Sequence, residues 1–166
     1  MSGIRRVAFK SALFDALETA IAAHSSVFPN TTVEYGQPAD GAFLSDVIYL
    51  GLPVNGSLES SAIRADAVRS NDVFNIDVYV GADAIDDNAN DARKAADAAC
   101  EKLVNLVTGT ACVAANRPAL GCTNCRLGPV QGPGVIGLEG FAVSPLSFAI
   151  VTLVVTTVVT PAIPSS

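Results

Sequence analysis

Val73-Phe74-Asn75-Ile76-Asp77-Val78-Tyr79-Val80, followed by Gly81-Ala82-Asp83-Ala84-Ile85-Asp86-Asp87 and an Ala-rich stretch reaching Val107, is the segment that decides the fold. In the first part Phe74, Ile76, Val78 and Val80 point one way, and Asn75 and Asp77 the other. A period of two is that of a half-buried β-strand with one wet face. The acidic turn places carboxylates where the first backbone N–H groups of a helix lack partners, so it predicts capping from Asp83, Asp86 and Asp87. The helix that follows lines Ala92, Ala96, Ala99, Leu103, Leu106 and Val107 along one stripe, with Arg93, Lys94, Asp97, Glu101 and Lys102 largely outside it. Thr108-Gly109 is expected to end it, since glycine accepts the left-handed conformation of a helix terminus.

Working outward, Phe9, Leu13, Ala16, Leu17, Ala20 and Ile21 recur at spacings of three and four and predict a helix over 4–24, ending before Pro29. Short strands are expected at Thr31–Tyr35 and Ser45–Leu50. Residues 52–71 are ambiguous: Pro53 and Asn55-Gly56 signal turns, while Ile63, Ala65, Ala67 and Arg69 fit the edge of a strand. Residues 109–137 hold Pro118, Pro129, Pro133 and three of the four cysteines, without hydrophobic periodicity, and read as a long irregular loop or arm. Two closing strands are expected at Ile136–Leu146 and Phe148–Thr160, the second apolar on both faces in the manner of a central strand. The tail 161–166 reads as flexible. The expectation is one α+β domain over 1–160: a small, mostly antiparallel sheet with two main helices packed on it, in the order α-β-β-β-α-β-β.

A chain of 166 residues fits one domain, which at this size buries roughly 70% of its unfolded surface. Half of its residues are hydrophobic and only 16% are charged, a balance that leaves apolar surface for partners and points to self-association. The net charge of −6 gives no general attraction to phosphate, and the only basic cluster, Arg5, Arg6 and Lys10, flanks a helix. Lys10, Asp15 and Glu18 interrupt the first apolar run, against a signal peptide, and Phe148–Val159 is too short to span a bilayer as a helix. The expectation is a soluble chain made inside the cell, without membrane contact or sequence-specific nucleic-acid binding.

The sharpest chemical candidate is Cys122-Thr123-Asn124-Cys125. A redox pair of this spacing needs a helix after it, and Leu127-Gly128-Pro129 cannot begin one. Zinc would draw on Cys100, Cys112, Cys122 and Cys125, but Cys100 falls on the core side of its helix and Cys112 has no paired spacing. A disulfide from Cys112 to Cys122 or Cys125 is a further option, and free, partly buried thiols are the plainest reading. His24, the only histidine, closes the first helix, where it meets unpaired carbonyls. Asp83, Asp86, Asp87 and Asp91 lack the spacing of a calcium loop. Gly128-Pro129-Val130-Gln131-Gly132-Pro133-Gly134 lacks the Lys-Ser/Thr ending of a phosphate loop. Neither a catalytic residue nor a cofactor is expected.

The opening helix with its Pro29 exit, Thr32-Val33-Glu34-Tyr35-Gly36 leading to Asp46-Val47-Ile48-Tyr49-Leu50-Gly51, Arg69 to Val78 running into the acidic turn and Ala-rich helix, and a final pair of strands together resemble the tail terminator proteins of long-tailed bacteriophages. The resemblance spans about residues 7–160 and lies in element order more than in any fixed motif. It implies a virion protein, assembled in the host cytoplasm, that forms a homo-oligomeric ring, usually a hexamer, at the head-proximal end of the tail tube. Such a ring stops tube polymerisation, docks the head connector or head-closure protein, and lets DNA pass. On that reading Asp83, Asp86 and Asp87 are candidates to line the channel, where like charge repels the duplex. Arg117, Leu120, Val135 and Ile136 are candidates for the contact between subunits, with Arg117 pairing to a carboxylate. Alternatives are another head–tail joining protein, a tail tube subunit, a zinc- or thiol-dependent enzyme using Cys122 and Cys125, or a small-ligand-binding domain.

Overall fold

The computed structural model describes residues 4–37, 46–55, 70–136 and 145–159. Along them run helix α1 (Arg6–Ala23), strands β1 (Thr32–Glu34), β2 (Val47–Leu50), β3 (Val54–Asn55) and β4 (Ser70–Asp83), then helix α2 (Ala89–Ala111). A 3-10 turn (Ala114–Asn116), the short helix α3 (Arg117–Leu120) and strands β5 (Asn124–Ile136) and β6 (Leu146–Val159) follow. The class is α+β, with a sheet ordered β1-β2-β4-β6-β5 and β3 pairing beside β2 on β4. Only β1 and β2 run parallel; the other pairings are antiparallel.

The two longest strands form the spine. Residue by residue, β4 pairs with β6 from Ser70↔Val159 to Asp83↔Leu146 without a break. Alternation then sorts the side chains. Phe74, Ile76, Val78 and Val80 are fully buried beneath the helices, together with Ala149, Val151, Leu153 and Val155 of β6. Against them α1 sets Phe9, Leu13 and Leu17, and α2 sets Ala96, Cys100, Leu103 and Val107. Phe9 meets Phe74 edge to face at 5.8 Å, the favoured geometry for two quadrupolar rings. The opposite face of the sheet carries a row of aromatics: Tyr49 stacks on Tyr79 at 4.6 Å, and Tyr79 lies 6.2 Å from Phe148.

Helix α2 begins and ends differently from expectation. The cap of α2 is Asn88, whose side-chain oxygen accepts from the N–H groups of Asn90 and Asp91, not one of the turn carboxylates. Asp86 acts one step earlier, accepting from the N–H of Asn88. Nor does Gly109 stop α2, which continues to Ala111. A glycine costs a helix about 1 kcal/mol, and the buried stripe that runs on through Thr110 and Ala111 outweighs it. At the close of α1 it is the backbone N–H of His24 that reaches the carbonyls of Ala20 and Ile21.

The largest correction concerns 109–137. This is not an irregular loop: α2 enters it, α3 crosses it, and β5 occupies 124–136 as a full strand on β6. A closing strand that the sequence did not suggest thus runs over Asn124–Ile136, while most of the span expected as Ile136–Leu146, residues 137–144, lies outside the described residues. The register of β5 slips between Leu127 and Val130, and again between Gln131 and Gly134. Each slip holds one Gly-Pro pair, Gly128-Pro129 and Gly132-Pro133. Proline is tolerated there because β5 is an edge strand with bulges, where a missing N–H breaks no ladder bond. The readings made for 56–69 and for the tail 161–166 lie outside the described residues.

Gly132 is the residue the second bulge cannot replace. Its φ is +77°, and a Cβ built on it would stand 2.4 Å from the Phe148 carbonyl oxygen. Gly132→Ala is expected to destabilise the fold by about 2 kcal/mol or more, read as a lower denaturation midpoint in urea. At Gly109, open to solvent, an alanine should instead leave the midpoint unchanged or raise it.

Candidate assembly surfaces

The three basic residues of α1 and its approach separate in space. Arg5 lies against Gly121, the left-handed residue (φ +72°) that ends α3. Arg6 forms a two-bonded pair with Asp72, both N–O distances 2.8 Å, and also donates to Asn55 at 2.8 Å while its guanidinium lies 5.4 Å from the centre of the Phe74 ring. The hydrogen bonds to Asp72 push the Arg6 pKa further up. Arg6 thereby ties α1 to β3 and β4, a structural use of charge.

Lys10 turns inward and is only 8% exposed. Its ammonium sits 4.2 Å from the centre of the Tyr35 ring, a cation–π contact, and burial holds its pKa below the usual lysine range. Among the described residues it makes no ion pair. Beside it the sheet edge opens a hollow of about 420 Å³, lined also by Tyr49, Leu50, Leu52, Val54 and Tyr79. Asp77 borders it too, but its Oδ1 already accepts the Thr152 hydroxyl at 2.7 Å. Sequence reading grouped Lys10 with the arginines. The signal that sets it apart is its place three, four and seven residues before Leu13, Phe14 and Leu17, on the buried face of α1.

The acidic candidates split as well. Asp83 closes β4, half-buried, and donates its backbone N–H to the Asp46 carboxylate at 3.3 Å. Burial raises the Asp46 pKa. Asp86 and Asp87 are exposed, and between them and the sheet stands Ile85, 85% exposed, the most exposed large apolar side chain among the described residues. The turn is thus an apolar knob ringed by carboxylates.

Of the proposed contact residues, Leu120 is 2% exposed and belongs to this chain's own core, so it is not available to a neighbour. Arg117 is half-buried, and its Nη2 donates to Asn124 Oδ1 at 3.0 Å; among the described residues it makes no ion pair. Val135 pairs in register with Ser147, and Ile136 ends β5 opposite Leu146.

The cysteines are free thiols, and among the described residues no three His, Cys, Asp or Glu side chains group to hold a metal. Cys100 is fully buried, hydrogen-bonds the Val80 carbonyl at 3.9 Å, and is pushed up to about 11 by burial. Within Cys122-Thr123-Asn124-Cys125, burial raises Cys122, the opposite of what a thiolate nucleophile needs. The thiol pair that forms is a different one. Cys112 at the end of α2 accepts a hydrogen bond from Cys125 at the start of β5, which lowers it to about 7, while the same contact and burial raise Cys125.

Cys112 is accordingly expected to react with iodoacetamide at a rate that rises through about pH 7, with the thiolate population. In Cys125→Ala the donor is gone, and the half-maximal pH should move up toward the ordinary thiol range; an unmoved profile would contradict the contact. Mass mapping of the alkylated peptide identifies the site. The chain matches no known protein family, and no characterised protein is similar to it in sequence.

Proposed function

We propose that the chain is a structural protein of a long-tailed phage that caps the tail tube as a ring and joins it to the head connector, with DNA passing through the centre. The observation that carries this reading is the order of elements. A helix, three short strands, one long strand, a capped helix and a closing pair of strands follow one another, and the strands form one sheet covered by both long helices on one face. That is the order on which the resemblance to tail terminators rests.

Two features support an assembling subunit in particular. Large apolar side chains stand out at three places in the sequence, Ile4 with Val7, Leu52, and Ile85, where one ring subunit would meet neighbours on more than one side. The net charge of −6 suits a passage that must not hold a polyanion. In a ring the contacts are heterologous, one patch on each subunit meeting a different patch on the next.

Deletion of the gene from its phage, followed by negative-stain microscopy of the lysate, tests the reading. Tails of uncontrolled length beside separate filled heads are expected. Tails of normal length that fail to attach would move the protein to head–tail joining alone, and normal infectious particles would refute a structural role.

A further inference from the structure

From the geometry we infer a contact between two copies of this chain: the Ile85 knob of one copy seats in the hollow beside Lys10 of the next. Each side lacks what the other offers. The hollow is walled by Leu50, Leu52, Val54 and the two stacked tyrosines, with Leu52 78% exposed. Lys10 is 8% exposed, and its ammonium has the Tyr35 ring against it but, among the described residues, no ion-pair partner. The knob carries an apolar tip almost wholly in water, and two exposed carboxylates immediately after it.

One copy cannot satisfy both sides by itself. Tyr79 lines the hollow and Asp83 begins the turn, so four residues of extended β4 separate them, about 13 Å at strand rise. From Asp83 the chain leads into α2, on the face of the sheet opposite the tyrosine stack. The contact is therefore between copies and heterologous, knob to hollow, which leaves the second hollow and the first knob open for the next subunit. Seating Ile85 removes an apolar side chain from water, and Asp86 or Asp87 brought to Lys10 compensates a charge already desolvated, the setting in which an ion pair counts most. Asp77, the one carboxylate among the described lining residues, is held by Thr152 and orients the entering acids toward Lys10 by repulsion.

This contact rests on the ring reading only for its closure; self-association stands without it. Sedimentation velocity of the purified full chain over a concentration series tests it, with circular dichroism as a folding control. The wild type is expected to self-associate. Ile85→Asp, on an exposed turn that no fold contact needs, and Lys10→Glu should each weaken association by about thirtyfold or more. Adding Asp86→Lys and Asp87→Lys to Lys10→Glu should recover most of the loss. A wild type that stays monomeric throughout, or an assembly indifferent to Ile85→Asp, overturns the contact. An assembly of that indifferent kind leaves the tail reading intact, and normal particles from the deletion phage would sink the tail reading while leaving this contact standing.

Discussion

The rest of this structure depends on the ladder between β4 and β6. Fourteen consecutive residues of β4 pair with fourteen of β6, and from Phe74 to Ala82 and from Ala149 to Val155 every other one sends an apolar side chain under the helices. A slip of one residue would turn Phe74, Ile76, Val78 and Val80 outward and bring Asn75 and Asp77 in, burying polar groups without partners. The register is thus fixed by the cost of the alternatives. Everything else is hung on it: β2 on one side, the bulged β5 on the other, and α1 and α2 across one face. The few polar links between layers reinforce this arrangement. Arg6 to Asp72 fixes the start of β4 under α1, and the Ser147 hydroxyl on Asp97, at 2.6 Å, fixes the start of β6 under α2.

On this scaffold the charges divide by use. Arg6 is fully engaged within the molecule, and its pairing repays the cost of its partial burial. Lys10, four residues on, is more buried and less engaged. A short primary structure thus places one cation as a clasp and the other, against the Tyr35 ring and without an ion pair among the described residues, beside an apolar hollow. The acidic turn shows the same division, since Asp83 belongs to the sheet, Asp86 helps position the cap of α2, and Asp87 faces water.

What could be read from the sequence follows from where local and tertiary forces agree. The alternation of 73–80 and the stripe of 92–107 are local patterns that burial then uses, so β4 and α2 were legible, as was the central place of the last strand. The end of α2 was not, because the local signal of Gly109 is weaker than the packing of Thr110 and Ala111. Strand β5 was hidden for a related reason. Its glycines and prolines break periodicity, and only the partner strand reveals that each Gly-Pro pair sits in a bulge on an outer edge. Leu120 was misplaced because a residue inside an apparent loop looks exposed until α3 folds it inward. The Cys112–Cys125 contact joins elements whose adjacency no spacing announces, and Lys10 needed the helical wheel of α1 read for its charge as well as its apolar residues.

The long ladder also dictates a timetable. Its nearest rung joins Asp83 to Leu146 and its farthest Ser70 to Val159, so neither strand can pair with the other until α2, α3 and β5 between them have been made. During synthesis β4 emerges, is followed by α2, and then waits for β6. Closing so large a loop costs entropy before any rung repays it, and the waiting strand presents Phe74, Ile76, Val78 and Val80 to every other nascent copy. For such a molecule the interval between translation of β4 and of β6 is the period of greatest exposure to misassembly. The speed of the ribosome and the crowding of sister chains then bear on yield as much as the stability of the finished fold does.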